Sequence, residues 1–180
     1  MEIINMTKLN EKQIIEAAQI LTDSIPKGWP TLQHALDEIK ELLIPENTIL
    51  VAMENDNVLG WGGILAPIYN GNVIELHPLV VRSDKRKQGI GRAIVLALED
   101  EARKHGALTI YLGADDERDN SETSFSNVDL YDNFPEKIRT FEYGTHQSGF
   151  YLKLGYKIIG VMPDANGIGK PDIYFGKCLY

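Results

Sequence analysis

The stretch from residue 73 to residue 105 constrains the fold more than any other part of the sequence. It begins with an apolar strand, Val73–Val81, continues through a basic segment that contains Gly89 and Gly91, and ends as an amphipathic helix. The first N–H groups of a helix lack internal partners, and glycine lets a ligand approach the backbone closely. The sequence therefore predicts an anion-binding site where this helix begins.

The predicted strand carries two polar side chains among large apolar ones. Because side chains alternate along a strand, Glu75 and His77 share one face. Ile74 and Leu76 then point to the other face, which is the buried one. Pro78 has no N–H group, so it marks a bulge, an edge or a point where neighbouring strands part. The strand is thus expected to place a possible acid–base pair beside backbone groups that are free to bind a ligand.

Two common phosphate loops do not fit the glycine segment. A P-loop requires Lys and Ser or Thr after its second glycine, but Gly91 is followed by Arg92 and Ala93. A dinucleotide-binding loop requires a third glycine where this chain has Ile94. The pattern Arg-x-x-Gly-x-Gly at Arg86–Gly91, between a strand and a helix, instead resembles the acetyl-CoA pyrophosphate loop of the GNAT acetyltransferase superfamily.

Length and composition narrow the class of protein. The 180 residues suit one domain, and the net charge of -8 argues against nucleic acid as a partner but permits a cationic one. No apolar run approaches the roughly 20 residues of a membrane span, and no secretory signal is visible at Met1. The lone Cys178 fits a reducing cytosol. The four histidines lack the spacing of metal ligands, so we expect no metal. Together these observations predict a cytoplasmic protein that does not contact a membrane.

Hydrophobic periodicity predicts two helices near the start, at residues 14–25 and 32–43, and the first follows a capping box with Asn10 as the cap. A third helix follows the glycine loop, with Ile94, Val95, Leu98 and Ala102 on its apolar stripe, and a short fourth helix at residues 149–154 is capped by Gly155. The predicted strands are residues 2–6, 48–54, 58–68, 73–81, 108–112, 156–162 and 173–179. The second, third and fourth strands form an antiparallel meander with a tight turn at Asn70-Gly71. The fifth strand is expected to run parallel to the fourth, because a helix connects them.

The stretch from Asp115 to Glu142 is strongly acidic, with few basic residues. Acidic runs of this kind are usually solvated loops. Because this one begins where the fifth strand ends, it can also form a cation-attracting wall beside a crevice. Both interpretations stay open from the sequence.

Further phrases support a narrower resemblance. Phe150-Tyr151-x-x-Leu154-Gly155-Tyr156 is typical of GNAT enzymes. Across most of its length the chain is similar to the aminoglycoside 6'-N-acetyltransferases, on the phrases Glu75–Val81, Ile110–Gly113, Asp129–Tyr131, Asp164–Gly167 and Lys170–Ile173. The resemblance implies one α/β GNAT domain over residues 1–180. Its central mixed sheet would have about seven strands, splayed between strands four and five and flanked by helices.

The resemblance also implies roles for individual residues. Glu75 would accept the proton of the attacking amine, beside His77. A Leu79 amide would stabilise the oxyanion, and Tyr151 would protonate the departing thiolate. Contacts to acetyl-CoA are expected from Leu79, Val80, Val81, Arg86, Lys87, Gln88, Gly89, Ile90, Gly91, Arg92 and Tyr151. Contacts to the acceptor are expected from Trp29, Tyr69, Glu75, His77, Asp115 and Asp119.

Each of these roles has a structural alternative. Glu75 can simply orient the substrate, and His77 can be a hydrogen-bonded structural histidine. Tyr151 and Trp29 can be packing residues, since buried aromatic side chains more often pack than react.

The function that follows from the resemblance is acetyl transfer from acetyl-CoA to the 6'-amine of an aminoglycoside, which confers antibiotic resistance. We also expect a homodimer, by analogy with the family and because the C-terminal strand invites pairing at an edge. One alternative keeps the reaction but changes the acceptor to a polyamine, a small amine metabolite or a protein N-terminus. Another is a non-catalytic acyl-CoA-binding module, which would need the basic loop but neither Glu75 nor Tyr151.

Overall fold

The structure is a computed structural model that describes residues 1–117 and 123–180. It divides into two compact units, one of Met1–Ile110 with Leu179–Tyr180 and one of Tyr111–Cys178. The strands are β1 (Glu2–Asn5), β2 (Thr48–Glu54), β3 (Asn57–Ile64), β4 (Val73–Val81), β5 (Thr109–Asp115), β6 (Lys157–Met162) and β7 (Asp172–Cys178). The helices are α1 (Glu11–Ser24), α2 (Leu32–Leu42), α3 (Ile90–Lys104), α4 (Phe134–Arg139) and α5 (Ser148–Lys153), with short 3-10 turns at Met6–Lys8 and Ser83–Lys85. The predicted mixed α/β class with about seven strands is confirmed.

The first unit contains an antiparallel meander in the order β1-β2-β3-β4. The turn between β3 and β4 spans Tyr69–Asn72 and is closed by a bridge between Ile68 and Val73. At the start of β5, the N–H groups of Leu108 and Thr109 both donate to the carbonyl of Asn72. Because Asn72 precedes β4 directly, β4 and β5 begin side by side, which fits the predicted parallel direction.

A bulge in β4 lies at the predicted proline break. Gly62 pairs with Leu79 and Ile64 pairs with Leu76, so His77 and Pro78 together lie opposite Gly63 alone. The prediction that Pro78 marks an irregularity of the strand is confirmed as a bulge.

This bulge changes which residues of β4 share a face. His77 contacts Glu38 on α2, and Val80, three residues later, belongs to the core that α1 and α2 cover. In a regular strand two residues three positions apart point to opposite faces. The extra residue reverses the alternation, so the polar start and the apolar end of β4 face the same pair of helices.

Glycines on β3 allow this close pairing. A Cβ atom on Gly60 would lie 2.6 Å from the Val80 carbonyl oxygen, and one on Gly63 would lie 2.8 Å from that of His77. Contacts that short to backbone cannot be relieved by turning a side chain. At Gly60 and Gly63, the backbones of β3 and β4 therefore leave no room for a side chain.

The core of the first unit lies between the meander and helices α1 and α2. Trp61 is fully buried there, and its indole N–H donates to the carbonyl of Ala17 at 2.9 Å. Helix α1 begins with the predicted capping box, in which Asn10 and Gln13 each accept from the other's backbone N–H at 3.0 Å. The predicted apolar stripe of α3 is buried, at Ile94, Val95, Leu98 and Ala102.

The end of the chain closes the first unit. The backbone N–H of Leu179 donates to the Leu108 carbonyl at 2.9 Å, and Arg103 Nε donates to the Leu179 carbonyl at 3.1 Å. Two hydrogen bonds thus hold the last residues against α3 and the residue before β5.

The second unit contains β7 between β5 and β6, with β6 and β7 antiparallel. Helix α5 ends as predicted at Gly155, which adopts a left-handed φ of 89°. Three features differ from the sequence-based expectation. The C-terminal strand, which was expected to pair at an edge, is β7 and lies between β5 and β6, so β6 is the edge strand instead. β5 continues to Asp115, three residues beyond its predicted end, and the segment expected to be an acidic loop contains α4.

We predict that Gly60→Ala lowers the free energy of unfolding by about 1–3 kcal/mol, because the new methyl group meets backbone of β4. Urea denaturation measures this change. Gly28→Ala is the matched control: its nearest neighbour would be Ile25 Cγ2 at 3.5 Å, an ordinary contact. The control should stay within about 0.5 kcal/mol of wild type. Equal stability of the two variants would contradict the close packing described here.

Candidate active site

An acidic pocket lies beside the polar face of β4. Its volume is about 380 Å³, and Glu75 from β4 shares it with Glu38 and Glu41 from α2. The remaining lining residues are Leu42, Asn47, Leu65, Ala66 and Ile68. Three of the eight lining residues are acidic, and none of the eight is Lys, Arg or His. Because opposite charges attract more strongly where protein excludes part of the water, the pocket suits a cationic group.

Asn47 fixes the frame of this pocket. Its side-chain amide donates to the carbonyl of Leu42 at 3.0 Å, and its side-chain oxygen accepts from the N–H of Ala66 at 2.8 Å. One side chain therefore ties the end of α2 to the segment that follows β3.

His77 lies close to a tryptophan and a glutamate from other elements. His77 Nε2 is 3.7 Å from Glu38 Oε1, and the indole N–H of Trp29 donates to Glu38 Oε2 at 3.1 Å. The Trp29 and His77 rings are tilted by 51° with their centroids 5.9 Å apart. The structure thus brings together Trp29 and His77, both expected at the acceptor site, and adds Glu38 to them.

The pairing of β4 with β3 determines which way the backbone N–H and C=O groups of β4 point beyond the bulge. The N–H of Arg82 donates to the Leu59 carbonyl at 2.9 Å. In an antiparallel ladder such bonded positions alternate, so Val80 is bonded to β3 whereas Leu79 and Val81 turn their N–H and C=O groups away from it. The Val81 carbonyl indeed accepts from Arg86 Nε at 3.1 Å. The backbone groups of Leu79 and Val81 are therefore not used by β3, and their contact with a cofactor remains a prediction.

The segment after β4 concentrates positive charge before the start of α3. Five basic side chains lie within residues 82–92, at Arg82, Lys85, Arg86, Lys87 and Arg92, against the single acid Asp84. Gly89 caps α3 in a left-handed conformation with φ of 84°, and open space surrounds its α-carbon. The N–H groups of the first helical turn have no partners within the helix, so this start is suited to a phosphate group.

Two arginines of this loop bond to the protein itself. Arg82 donates to Asp84, and this hydrogen bond lowers the pKa of Asp84 and raises the pKa of Arg82. Arg86 donates to the Val81 carbonyl and to Ser24 Oγ, both at 3.1 Å. Arg86 thus fastens the loop to the ends of β4 and α1. A direct contact of Arg86 with pyrophosphate remains a prediction.

Tyr151 lies on α5 in the second unit and is buried. Its ring contacts those of Phe150, Tyr156 and Phe175, with centroids 5.1, 5.8 and 6.3 Å away. Burial raises the pKa of the Tyr151 phenol well above its ordinary value. The side chain therefore packs in an aromatic cluster and also keeps its proton at neutral pH.

The acidic residues after β5 have different environments. Asp115 Oδ1 accepts from the Asn166 side chain at 2.7 Å. Asp116 is buried and accepts from the hydroxyl groups of Thr123 and Ser126, each at 2.5 Å, so the expectation of a solvated loop is wrong for this residue. Asp119 lies outside the described residues.

The amino-acid sequence matches a known family over about two thirds of its length. Residues 14–134 match the model of the acetyltransferase (GNAT) family. The chain belongs to the GNAT acetyltransferase family. Among curated protein sequences none matches it.

Three solved structures are similar to this GNAT acetyltransferase over its whole length. An aminoglycoside 6'-N-acetyltransferase complexed with coenzyme A is 36% identical, with a TM-score of 0.93. The enzyme of that name from Enterococcus faecium is also 36% identical, with a TM-score of 0.90. The aminoglycoside 6'-acetyltransferase type Ii is 32% identical, with a TM-score of 0.77. Each comparison covers 100% of this chain and 98% of the other.

Sequence reasoning missed Glu38, Glu41 and Asn47 of this GNAT site. Glu38 and Glu41 are three positions apart on α2, so they lie on one edge of the helix. That spacing was visible in the sequence, but the strand that the edge faces was not. Tyr69, in contrast, was expected at the site; it is 75% exposed in the turn before β4, and its neighbour Ile68 lines the pocket.

His146 is a buried polar residue of the second unit. Its ring nitrogens lie 2.6 Å from Ser148 Oγ and 3.0 Å from the Asp115 carbonyl oxygen, so it joins β5 to α5. Within residues 1–117 and 123–180, no group of three or more His, Cys, Asp or Glu side chains is arranged to hold a metal ion. No helix in the same ranges has the length and apolar character to cross a membrane.

We predict that in Tyr151→Phe the free energy of unfolding falls less steeply with rising pH above about pH 10 than in the wild type. Burial holds the proton on Tyr151 in the folded state, whereas the unfolded chain releases it near pH 10. The native state then binds more protons above that pH, so the free energy of unfolding falls as pH rises, by at most about 1.4 kcal/mol per pH unit for this group. Urea denaturation at a series of pH values from about 9 to about 11.5, which spans the ordinary pKa of a phenol, measures how the free energy of unfolding changes with pH.

The matched control is Tyr180→Phe, which removes a tyrosine that is 92% exposed. This control should keep the wild-type slope. Parallel curves for Tyr151→Phe and wild type would show that the buried phenol makes no contribution.

Proposed function

We propose that this chain transfers the acetyl group of acetyl-CoA to the 6'-amino group of aminoglycosides and thereby confers antibiotic resistance. The observation that carries the proposal is the charge arrangement along β4, with an acidic pocket at Glu75 and a basic glycine loop after Val81. This arrangement suits one cationic and one phosphate-bearing substrate. Similarity to aminoglycoside 6'-N-acetyltransferases over the whole chain supports the same reaction.

For acetyl-CoA, the proposal assigns the pyrophosphate to the loop from Arg86 to Arg92. Gly89 and Gly91 allow the phosphate oxygens to approach the first turn of α3. The outward-turned backbone of Leu79 and Val81 would bond to the pantetheine arm as an added strand would. The bound coenzyme A of the similar structure supports this co-substrate.

For the acceptor, the proposal assigns its amines to the polar face of β4 and the adjoining pocket. Glu41 and Glu75 would attract a polycationic molecule, which suits an aminoglycoside better than an uncharged acceptor. Trp29, Tyr69 and His77 would line the sugar, and Asp115 and Asp119 remain predicted contacts.

The chemical step requires a neutral amine, because an ammonium group has no lone pair to attack a carbonyl carbon. Glu75 accepts the ammonium proton, through a water molecule or directly. The nitrogen then forms a bond to the thioester carbon, and the oxyanion is stabilised by the Leu79 N–H. The C–S bond breaks, the thiolate takes a proton from Tyr151, and the second proton lost by the amide nitrogen returns to the phenolate. Burial raises the pKa of Tyr151, so the phenol is protonated at neutral pH but is a weaker acid than an exposed tyrosine.

The proposal treats residues 1–180 as one cytoplasmic N-acetyltransferase domain that acts as a homodimer. Because the C-terminal strand β7 lies inside the sheet, the proposal assigns the pairing to the edge strand β6 instead. Two apolar side chains of β6 are exposed, Ile159 at 60% and Met162 at 51%, which supports a contact there.

An acceptor screen tests this function. We expect thiol release from acetyl-CoA, followed with a chromogenic disulfide, with aminoglycosides that carry a 6'-amine. Aminoglycosides with a 6'-hydroxyl should be inert, since they lack the attacking nitrogen. Faster release with polyamines, amine metabolites or peptide N-termini would replace the proposed acceptor. Binding of acetyl-CoA without thiol release for any amine would indicate a non-catalytic module.

The role of Glu75 is tested by Glu75→Gln. If Glu75 is the proton acceptor, kcat should fall by about 10²–10⁴, the usual contribution of a general base, and the dissociation constant of acetyl-CoA should not change. Steady-state kinetics and calorimetry measure the two quantities. Glu46→Gln, which removes an exposed carboxylate outside the pocket lining, is the matched control. An increase in acceptor KM at constant kcat would assign Glu75 to orientation only.

A further inference from the structure

Glu38 occupies a position that no motif of the chain singles out. It lies on α2, between the tryptophan of the turn after α1 and the histidine of β4. One carboxylate oxygen accepts from the Trp29 indole at 3.1 Å, and the other lies 3.7 Å from His77 Nε2. Three separate elements of the first unit therefore meet at one side chain.

Partial burial of these groups limits the orientations that their side chains can adopt. The side chain of Glu38 is 23% exposed and that of His77 is 38% exposed, so neither is fully solvated. Trp29 is partly buried and packs against the core under α1 and α2. Both aromatic rings rotate about single bonds. The Glu38 carboxylate accepts a hydrogen bond from Trp29 Nε1 and lies near His77 Nε2, beyond hydrogen-bond distance, so it favours the rotamers that direct both nitrogens toward it.

We propose that Glu38 is a positioning residue that holds Trp29 and His77 in one arrangement and thereby sets the affinity for the acceptor. This inference rests on the proposed function, because it treats the two rings as walls of the acceptor site. Glu38 acts through its two partners rather than through its charge. Its loss therefore raises the acceptor KM, leaves the acetyl-CoA KM unchanged and is rescued by an uncharged side chain of the same shape.

The variants Glu38→Gln and Glu38→Ala separate position from charge. Glutamine keeps an oxygen that accepts from the indole and an amide that can bond to a neutral imidazole, whereas alanine keeps neither. Asp37→Asn is the matched control, since it removes one charge from the neighbouring position of α2. Asp37 is exposed and accepts from Gln33 at 2.9 Å, away from the two rings.

The first readout is the indole N–H signal in a proton–nitrogen NMR spectrum of the full chain without substrate. The chain has two tryptophans. Trp61 donates to Ala17 inside the core and serves as the internal reference for an intact fold. In Glu38→Ala the Trp29 signal should move upfield while the Trp61 signal stays in place. In Glu38→Gln and Asp37→Asn both signals should remain near their wild-type positions.

The second readout is steady-state kinetics with an acceptor that the wild type acetylates. Glu38→Ala should raise the acceptor KM about tenfold or more, the size expected for a lost hydrogen bond to a charged group. Glu38→Gln should stay within about threefold of wild type, a difference that corresponds to less than one ordinary hydrogen bond. The KM for acetyl-CoA should not change in any variant.

The outcomes distinguish this inference from the function on which it rests. Equal kinetic losses in Glu38→Gln and Glu38→Ala would overturn it, because only the charge would then matter. An unmoved Trp29 signal in Glu38→Ala would also overturn it, whatever the kinetics. If the wild type acetylates no aminoglycoside, the proposed function fails, and the NMR series still decides whether Glu38 holds Trp29.

Discussion

The bulge at His77 and Pro78 is the constraint on which the candidate site depends. It is opposed by Gly63, where a side chain would collide with the His77 carbonyl. Because of this extra residue, the polar pair and Val80 face the same two helices. The site therefore rests on a backbone irregularity that glycines on the neighbouring strand permit, and a regular strand of the same composition would turn either its polar side chains or its apolar end away from those helices.

Beyond the bulge, the chain directs groups by backbone pairing rather than by side-chain choice. The ladder with β3 uses the N–H and C=O groups of Val80 and turns those of Leu79 and Val81 away. Arg86 then bonds to the Val81 carbonyl and to Ser24, which fixes the start of the basic loop. The loop carries positive charge in a protein of net charge -8, so its positive potential is confined to the loop. The position of that potential depends on the hydrogen bonds of Arg86.

Local sequence patterns predicted the elements that local interactions form. The Asn10 capping box, the left-handed Gly155 and the buried stripe of α3 all have signatures within a few neighbouring residues. The pocket was only half predictable, because Glu75 follows from strand alternation but the edge of α2 that faces it is set by tertiary packing. Asp116 was misinterpreted for the same reason: its hydroxyl partners come from Thr123 and Ser126, and nothing near Asp116 in sequence distinguishes it from the exposed Asp115 beside it.

Glu75 lies near one end of β4, and Arg82 lies just past the other end. At the rise of an extended strand, the acidic and basic sites are therefore about 20 Å apart. The turn at Tyr69–Asn72 lies outside this interval and can change in length without altering it. An insertion or deletion inside the interval would shift the two charged sites relative to each other and would also exchange the faces of the strand. Relatives that differ in acceptor are thus expected to vary in their loops while keeping the number of residues between these two positions.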